Sequence, residues 1–207
     1  MTTLNNRKYT TIASDELIGT TVKALKGNGF EVRVSQNTAE AKAAVLSLIP
    51  LGSEVFTNTS ITLDQAGIAE DLNRPEYVSA RKKMMALYGD PKNKKEMKQV
   101  AGTPEYAIGS AHAITMDGQI MVASATGSQI ASEAYGADKV IFVVGAQKLV
   151  KDLAAGVKRI QEHSVPLEDE RAQAAYGGHT AFNKLLVING DMPGRITVVI
   201  VKENIGF

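Results

Sequence analysis

The stretch Lys139-Val140-Ile141-Phe142-Val143-Val144-Gly145-Ala146-Gln147-Lys148 decides the fold. Five apolar residues in a row suit a strand buried on both faces, and such strands belong to parallel sheets packed between helices. The glycine ends the strand, and Leu149, Val150, Leu153, Val157 and Ile160 recur on one face of an expected helix.

The same alternation extends in both directions. Upstream, Ser14 caps a helix with Asp15 and Glu16 in its first turn and Leu17, Ile18, Val22 and Leu25 as its apolar stripe. Phe30, Val32 and Val34 alternate with polar residues as a half-buried strand, and Asn37 with Glu40 forms a capping box for a second helix that Pro50 closes. A short strand at Glu54 to Phe56 follows. Further on, Tyr106 to Thr115 and Gln119 to Ala123 are joined through Met116-Asp117-Gly118, and Asp-Gly is a hairpin signal. Leu185 to Ile188 and Ile196 to Val201 read as a second hairpin.

The expected fold is therefore α/β: one Rossmann-like sheet, mixed and mostly parallel, with helices on both faces. A single domain over residues 1–207 is expected, with residues 70–103 as a helical insertion or flap. Within it, Arg81 to Lys98 carries seven basic and two acidic side chains, a local charge of +5. The whole chain is only +1, so the remainder is −4.

Composition excludes several classes. A near-neutral chain has no overall footprint for nucleic acid or membrane, and only Tyr88 interleaves the basic segment. The longest apolar run is far short of the roughly 20 residues a membrane span needs. The first twelve residues are polar, with no cationic segment leading into an apolar one, so a cytoplasmic protein is expected. The chain has no cysteine, which excludes disulfides, a thiolate nucleophile and an iron–sulfur cluster on its own ligands. His112, His163 and His179 are scattered, with no ligand pair at helical spacing, so no metal is expected. No G-x-G-x-x-G, P-loop or G-x-S-x-G motif is present, so no cofactor is expected either.

Chemistry concentrates in three strand-to-helix turns, because ligands in open α/β sheets gather beyond the carboxyl ends of strands. The first turn, Thr57 to Thr62, offers four hydroxyls and an amide, with Thr57, Asn58, Thr59 and Ser60 as the expected contacts. The second offers Gly127, Ser128 and Gln129, and the third offers Gly145 and Lys148. Each alone is an ordinary cap; three together suggest a pocket. Lys148 is the most informative, since a cation in a first helical turn opposes the dipole unless an anion or carboxylate relieves it. Arg159, in the last turn of the same expected helix, suits the dipole and needs no functional explanation. Glu54, Asp64, Glu105, Asp117 and Glu133 are candidate general bases, and no pattern separates them.

Ser60-Ile61-Thr62-Leu63, the run Ala107 to Ile114, Asp117-Gly118, Ala123 to Gln129, Lys139 to Gly145 with Lys148, Gly194-Arg195 and Asn204 to Phe207 together resemble the LUD (lactate utilisation) domain. The resemblance implies a fold similar to the NagB/RpiA/CoA-transferase superfamily. It also implies a link to lactate utilisation protein C, which works beside iron–sulfur proteins in oxidising lactate to pyruvate. A cysteine-free chain would leave electron transfer to such partners. Expected partners are thus a small anionic metabolite, carboxylate or phosphate, iron–sulfur proteins, and a further copy of the chain. The alternatives are a stand-alone isomerase or transferase acting on a phosphorylated or CoA-linked metabolite, and a non-enzymatic adaptor docking through its basic segment.

Overall fold

The computed structural model describes residues 7–207; the first six residues of the polar N-terminal stretch lie outside the described residues. Among the described residues, ten strands form two sheets. The larger joins β1 (Glu31–Ser35), β2 (Glu54–Thr57), β3 (Val78–Ser79), β4 (Tyr106–Gly109), β7 (Lys139–Gly145) and β10 (Ile196–Val201) in the order β1-β10-β7-β4-β2-β3, and every pairing is parallel. The smaller joins β5 (Ala113–Thr115), β6 (Ile120–Ser124), β8 (Leu149–Val150) and β9 (Lys184–Ile188) in the order β8-β5-β6-β9, with antiparallel β5–β6 and β6–β9 pairs.

The fold is α/β, as the sequence indicates, but the expected single mixed sheet is two sheets. Each anticipated hairpin divides between them. The Tyr106 to Thr115 segment breaks at Ser110: β4 runs in the parallel sheet, and only β5 turns back through Asp117-Gly118 onto β6. Likewise β9 and β10 never pair. All six residues of β10 are buried, which suits a central parallel strand, whereas β9 is half-exposed and forms an edge of the small sheet.

The run at 140–144 splits by the strand's period of two. Val140, Phe142 and Val144 pack with Ile18, Leu25 and Ile114, whereas Ile141 and Val143 pack with Val45, Leu63 and Ile68. One face of the parallel sheet is thus covered by α2 (Thr38–Leu46), α3 (Ile61–Gln65) and α4 (Ile68–Leu72). The other face carries α1 (Asp15–Gly27) and the small sheet, whose outer side, through Ala113, Met121 and Ala123, meets Val157, Ile160 and Val165. Those residues belong to α7 (Leu153–Arg159), a π turn (Ile160–Ser164) and α8 (Val165–Tyr176), which follow one another without a break. Residues 70–103 supply α5 (Ala80–Ala86), α6 (Lys94–Gly102) and, contrary to the purely helical expectation, the two-residue edge strand β3. Among the described residues no helix is long and apolar enough to cross a membrane.

The β5–β6 turn is clamped against α1. Asn28 Nδ2 donates to the carbonyls of Asp117 and Gly118 at 2.9 and 3.1 Å, and Gly118 has φ +77°. A Cβ there would lie 2.7 Å from the Leu25 backbone nitrogen. Gly118→Ala therefore adds both left-handed strain and a backbone clash, an expected loss of about 2 to 3 kcal/mol in denaturant unfolding.

Candidate functional site

Because β2, β4 and β7 are adjacent and parallel, their carboxyl ends open at one edge of the sheet. A cleft of about 450 Å³ lies there. The loop after β2 forms one wall with Asn58, Thr59 and Ser60; the loop after β6 forms another with Thr126, Ser128 and Gln129; α8 closes the far side with Glu168, Arg171 and Tyr176. Six of the nine expected residues line it: Asn58, Thr59, Ser60, Ser128, Gln129 and Lys148.

The other three stand behind the lining. Thr57 is buried, and its carbonyl accepts from Arg81 Nη1 at 3.1 Å. Gly127 shapes its loop with φ +86°, its amide donating to Ser124 Oγ at 2.8 Å. Gly145 lies against the Gln147 amide, whose oxygen would sit 2.1 Å from an added Cβ.

Lys148 occupies the floor for a different reason from the one its sequence position suggests. No helix begins there: Ala146–Lys148 is a single 3-10 turn that runs into β8, and α7 starts only at Leu153. The dipole argument therefore does not apply. What marks the residue is burial, at 2% exposure, with Nζ donating to Thr62 Oγ1 at 2.9 Å and Ser110 Oγ at 3.1 Å. Among the described residues no carboxylate forms an ion pair with it. Burial, and then the nearby Arg159 charge, hold its amine well below the ordinary lysine range.

Arg159 is likewise not a solvated helix end. It is fully buried, with Nη1 donating to the His112 carbonyl at 2.7 Å and Ser164 Oγ at 3.0 Å. His112 accepts from the Ala123 amide at Nδ1, which leaves Nε2 as its protonated nitrogen. Burial, reinforced by the Lys148 and Arg159 charges, keeps that ring neutral down to about pH 3.

Glu133 is the acid the geometry separates from the other four candidates. It sits in a π turn, Ser132–Gly136, and is 1% exposed at the cleft. Asn58 Nδ2 donates to Oε1 at 2.7 Å, while Oε2 has no partner. Burial pushes its carboxyl up to about 8, and the Asn58 bond only partly opposes this. At neutral pH it is a carboxylic acid able to donate a hydrogen bond. The glycine at the end of β4 makes room for the pair: a Cβ on Gly109 would fall 2.6 Å from Asn58 Nδ2.

Two further cations face the cleft. Arg81, the first basic residue of the charged segment, bonds Thr59 Oγ1 at 2.8 Å; Arg171 is committed to Glu168 through bonds of 2.8 and 2.6 Å. Thr62, the last hydroxyl of the first expected turn, is brought in with Lys148, whereas Arg81, Ser110 and the α8 wall are not marked as site residues by the sequence. The strand-end Gly109-Ser110 step is the signal that could have brought Ser110 in.

The class these features define is a Rossmann-like α/β domain with a polar cleft at the carboxyl ends of its parallel strands, floored by a buried lysine. The LUD domain family model matches residues 18–201, and the chain belongs to that family. The fold is similar to the crystal structure of a DUF162 family protein from Deinococcus radiodurans, with a TM-score of 0.56 and 13% identity over 92% of this chain and 99% of that chain. No curated protein matches the chain.

Proposed function

We propose that the cleft binds a small organic acid by its carboxylate and that the chain supports lactate or related organic-acid oxidation in the cytoplasm. Iron–sulfur partner proteins would carry the electrons, because these 207 residues include no cysteine to hold a cluster. The observation that carries the binding claim is Lys148, a buried amine with two hydroxyl acceptors and no ion-pair carboxylate. A buried cationic group is stabilised when a counter-charge arrives, so a carboxylate or phosphate completes the site. The Glu133 carboxyl, protonated at neutral pH, would donate to a second oxygen of the same ligand.

This mode couples binding to protons. The ligand's negative charge favours the neutral form of Glu133, in the direction of uptake. Calorimetric titration of lactate, pyruvate and inorganic phosphate at pH 7.5 in buffers of different ionisation enthalpy should show net proton uptake per ligand bound. Affinity should fall as the pH rises past about 8, where Glu133 ionises. Heat without proton exchange contradicts the mode, and no heat with any of the three removes the pocket reading.

A second reading, an isomerase or transferase acting alone on a phosphorylated or CoA-linked metabolite, is favoured by Glu133 itself. A carboxyl group titrating near the working pH is suited to general acid–base chemistry. Turnover by the purified chain, abolished in Glu133→Gln, separates it from the supporting role.

A further inference from the structure

The cleft holds a polar group that carboxylate binding at Lys148 leaves unused. His112 lies two residues beyond Ser110, so their Cα atoms are at most about 7 Å apart, and both residues line the cleft. Ser110 Oγ holds the Lys148 amine at 3.1 Å, which keeps the imidazole in the neighbourhood of the cation. Three hydrogen bonds pin His112 in place: its amide donates to the Met121 carbonyl at 2.9 Å, its carbonyl accepts from Arg159 Nη1 at 2.7 Å, and its Nδ1 accepts from the Ala123 amide at 3.2 Å.

The bond to Ala123 fixes the tautomer and leaves the proton on Nε2. Among the described residues Nε2 has no hydrogen-bond partner, and unlike the unpaired Arg159 nitrogens it is not sealed from solvent, since His112 keeps part of its surface open at the cleft. Burial of the rest of the ring, with the Lys148 and Arg159 charges, keeps it neutral. With Nδ1 occupied and Nε2 protonated, the ring has no lone pair to offer a ligand: it is a fixed, neutral donor and no base. A ligand's carboxylate gains more from the Lys148 ammonium, because charge-assisted hydrogen bonds are roughly twice as strong as neutral ones. The neutral N–H is left for a neutral oxygen, which in a small acid sits on C2.

We propose that His112 is a specificity-determining residue of the cleft, its Nε2–H donating to an oxygen on C2 of the bound acid and so selecting oxygenated acids over those with a bare or aminated C2. This rests on the organic-acid reading and adds the group by which the acid is chosen. An acid without that oxygen strips water from Nε2 and returns no acceptor, and a 2-ammonium group sets donor against donor. As a donor alone, His112 positions the ligand and does not remove the proton of a 2-hydroxyl.

The test is calorimetric titration of the whole chain with pyruvate and with propionate, acids of similar size and equal charge. The unmodified chain should bind pyruvate at least about tenfold more tightly, the ratio expected for one hydrogen bond whose donor otherwise goes unpaired. His112→Asn keeps an acceptor for the Ala123 amide and removes the distal donor, so the ratio should fall to about one with propionate binding unchanged, whereas the longer amide of His112→Gln should recover part of it. Because the ring stays neutral, the ratio in the unmodified chain should be the same at about pH 6 and pH 7.5. NMR of the unmodified chain serves where a variant fails to fold: the His112 Nε2–H resonance should move with pyruvate and stay with propionate. Equal affinity for the two acids, a ratio that survives in His112→Asn, or a resonance that both acids move alike overturns the assignment of His112 and leaves acid binding in the cleft standing. No heat with either acid overturns the organic-acid reading, and the role of His112 with it.

Discussion

Lys148→Met binds lactate, pyruvate or phosphate at least about 100-fold more weakly than the unmodified chain, a loss of about 2.7 kcal/mol, while unfolding at no lower temperature. The two halves of that result have one cause. The Lys148 ammonium is the cation at the cleft floor with no ion-pair carboxylate, so a ligand's charge is the group that compensates it. Methionine has similar length and keeps the floor filled, yet it removes a desolvated amine whose burial opposes folding, and replacing buried ionic groups by apolar ones is commonly neutral or stabilising. A variant that simply misfolded would bind weakly and melt early. Isothermal titration and thermal unfolding on the same samples distinguish these cases, and wild-type affinity in Lys148→Met would refute the role assigned to the lysine.

That lysine also shows where sequence reasoning reached and where it stopped. Its importance was legible because it follows a buried strand and a glycine, and strand ends are where α/β ligands gather. The reason first offered, a cation against a helix dipole, depends on a helix starting at residue 146, and Leu149 and Val150 instead join the small sheet beside β5. Short apolar pairs satisfy either period, so local pattern cannot choose between them. The divided hairpins have the same origin. Asp117-Gly118 correctly marks a reversal, but turn chemistry specifies only the two residues it joins and carries no information on which sheet the outer ends enter. Periodicity places Arg159 in a last helical turn, where solvent exposure is usual; in the fold the chain continues into a π turn whose Ser164 Oγ accepts from the buried guanidinium. Glu133 was named without being separated from four other acids, because what distinguishes it is the distant Asn58 and its burial, neither of which is local in sequence.

Glu133→Gln gives the other large effect, on stability and in a pH-dependent way. The carboxyl titrates at about 8 when folded, against 4.5 when unconstrained, so the folded chain holds this proton more tightly than the unfolded one. Its contribution to stability is therefore complete below about pH 4.5 and is lost as the pH rises through 8. The shift corresponds to about 4 to 5 kcal/mol by linkage. Glutamine keeps the oxygen that accepts from Asn58 and places an uncharged NH₂ where the protonated Oε2 stood, so it copies the neutral acid at every pH. The two proteins should unfold at similar denaturant concentrations at pH 4, and Glu133→Gln should be the more stable by about 3 to 5 kcal/mol at pH 8.5. Lys148 acts in the opposite sense, its depressed amine making stability rise with pH towards its unfolded value of 10.5, but it is present in both proteins and cancels in the difference. A stability difference that stays constant from pH 4 to 8.5 would mean that Glu133 is ionised in the folded chain. The cleft would then hold a fixed negative charge as well as Lys148, and the organic-acid reading would lose the protonated donor it assigns to Glu133.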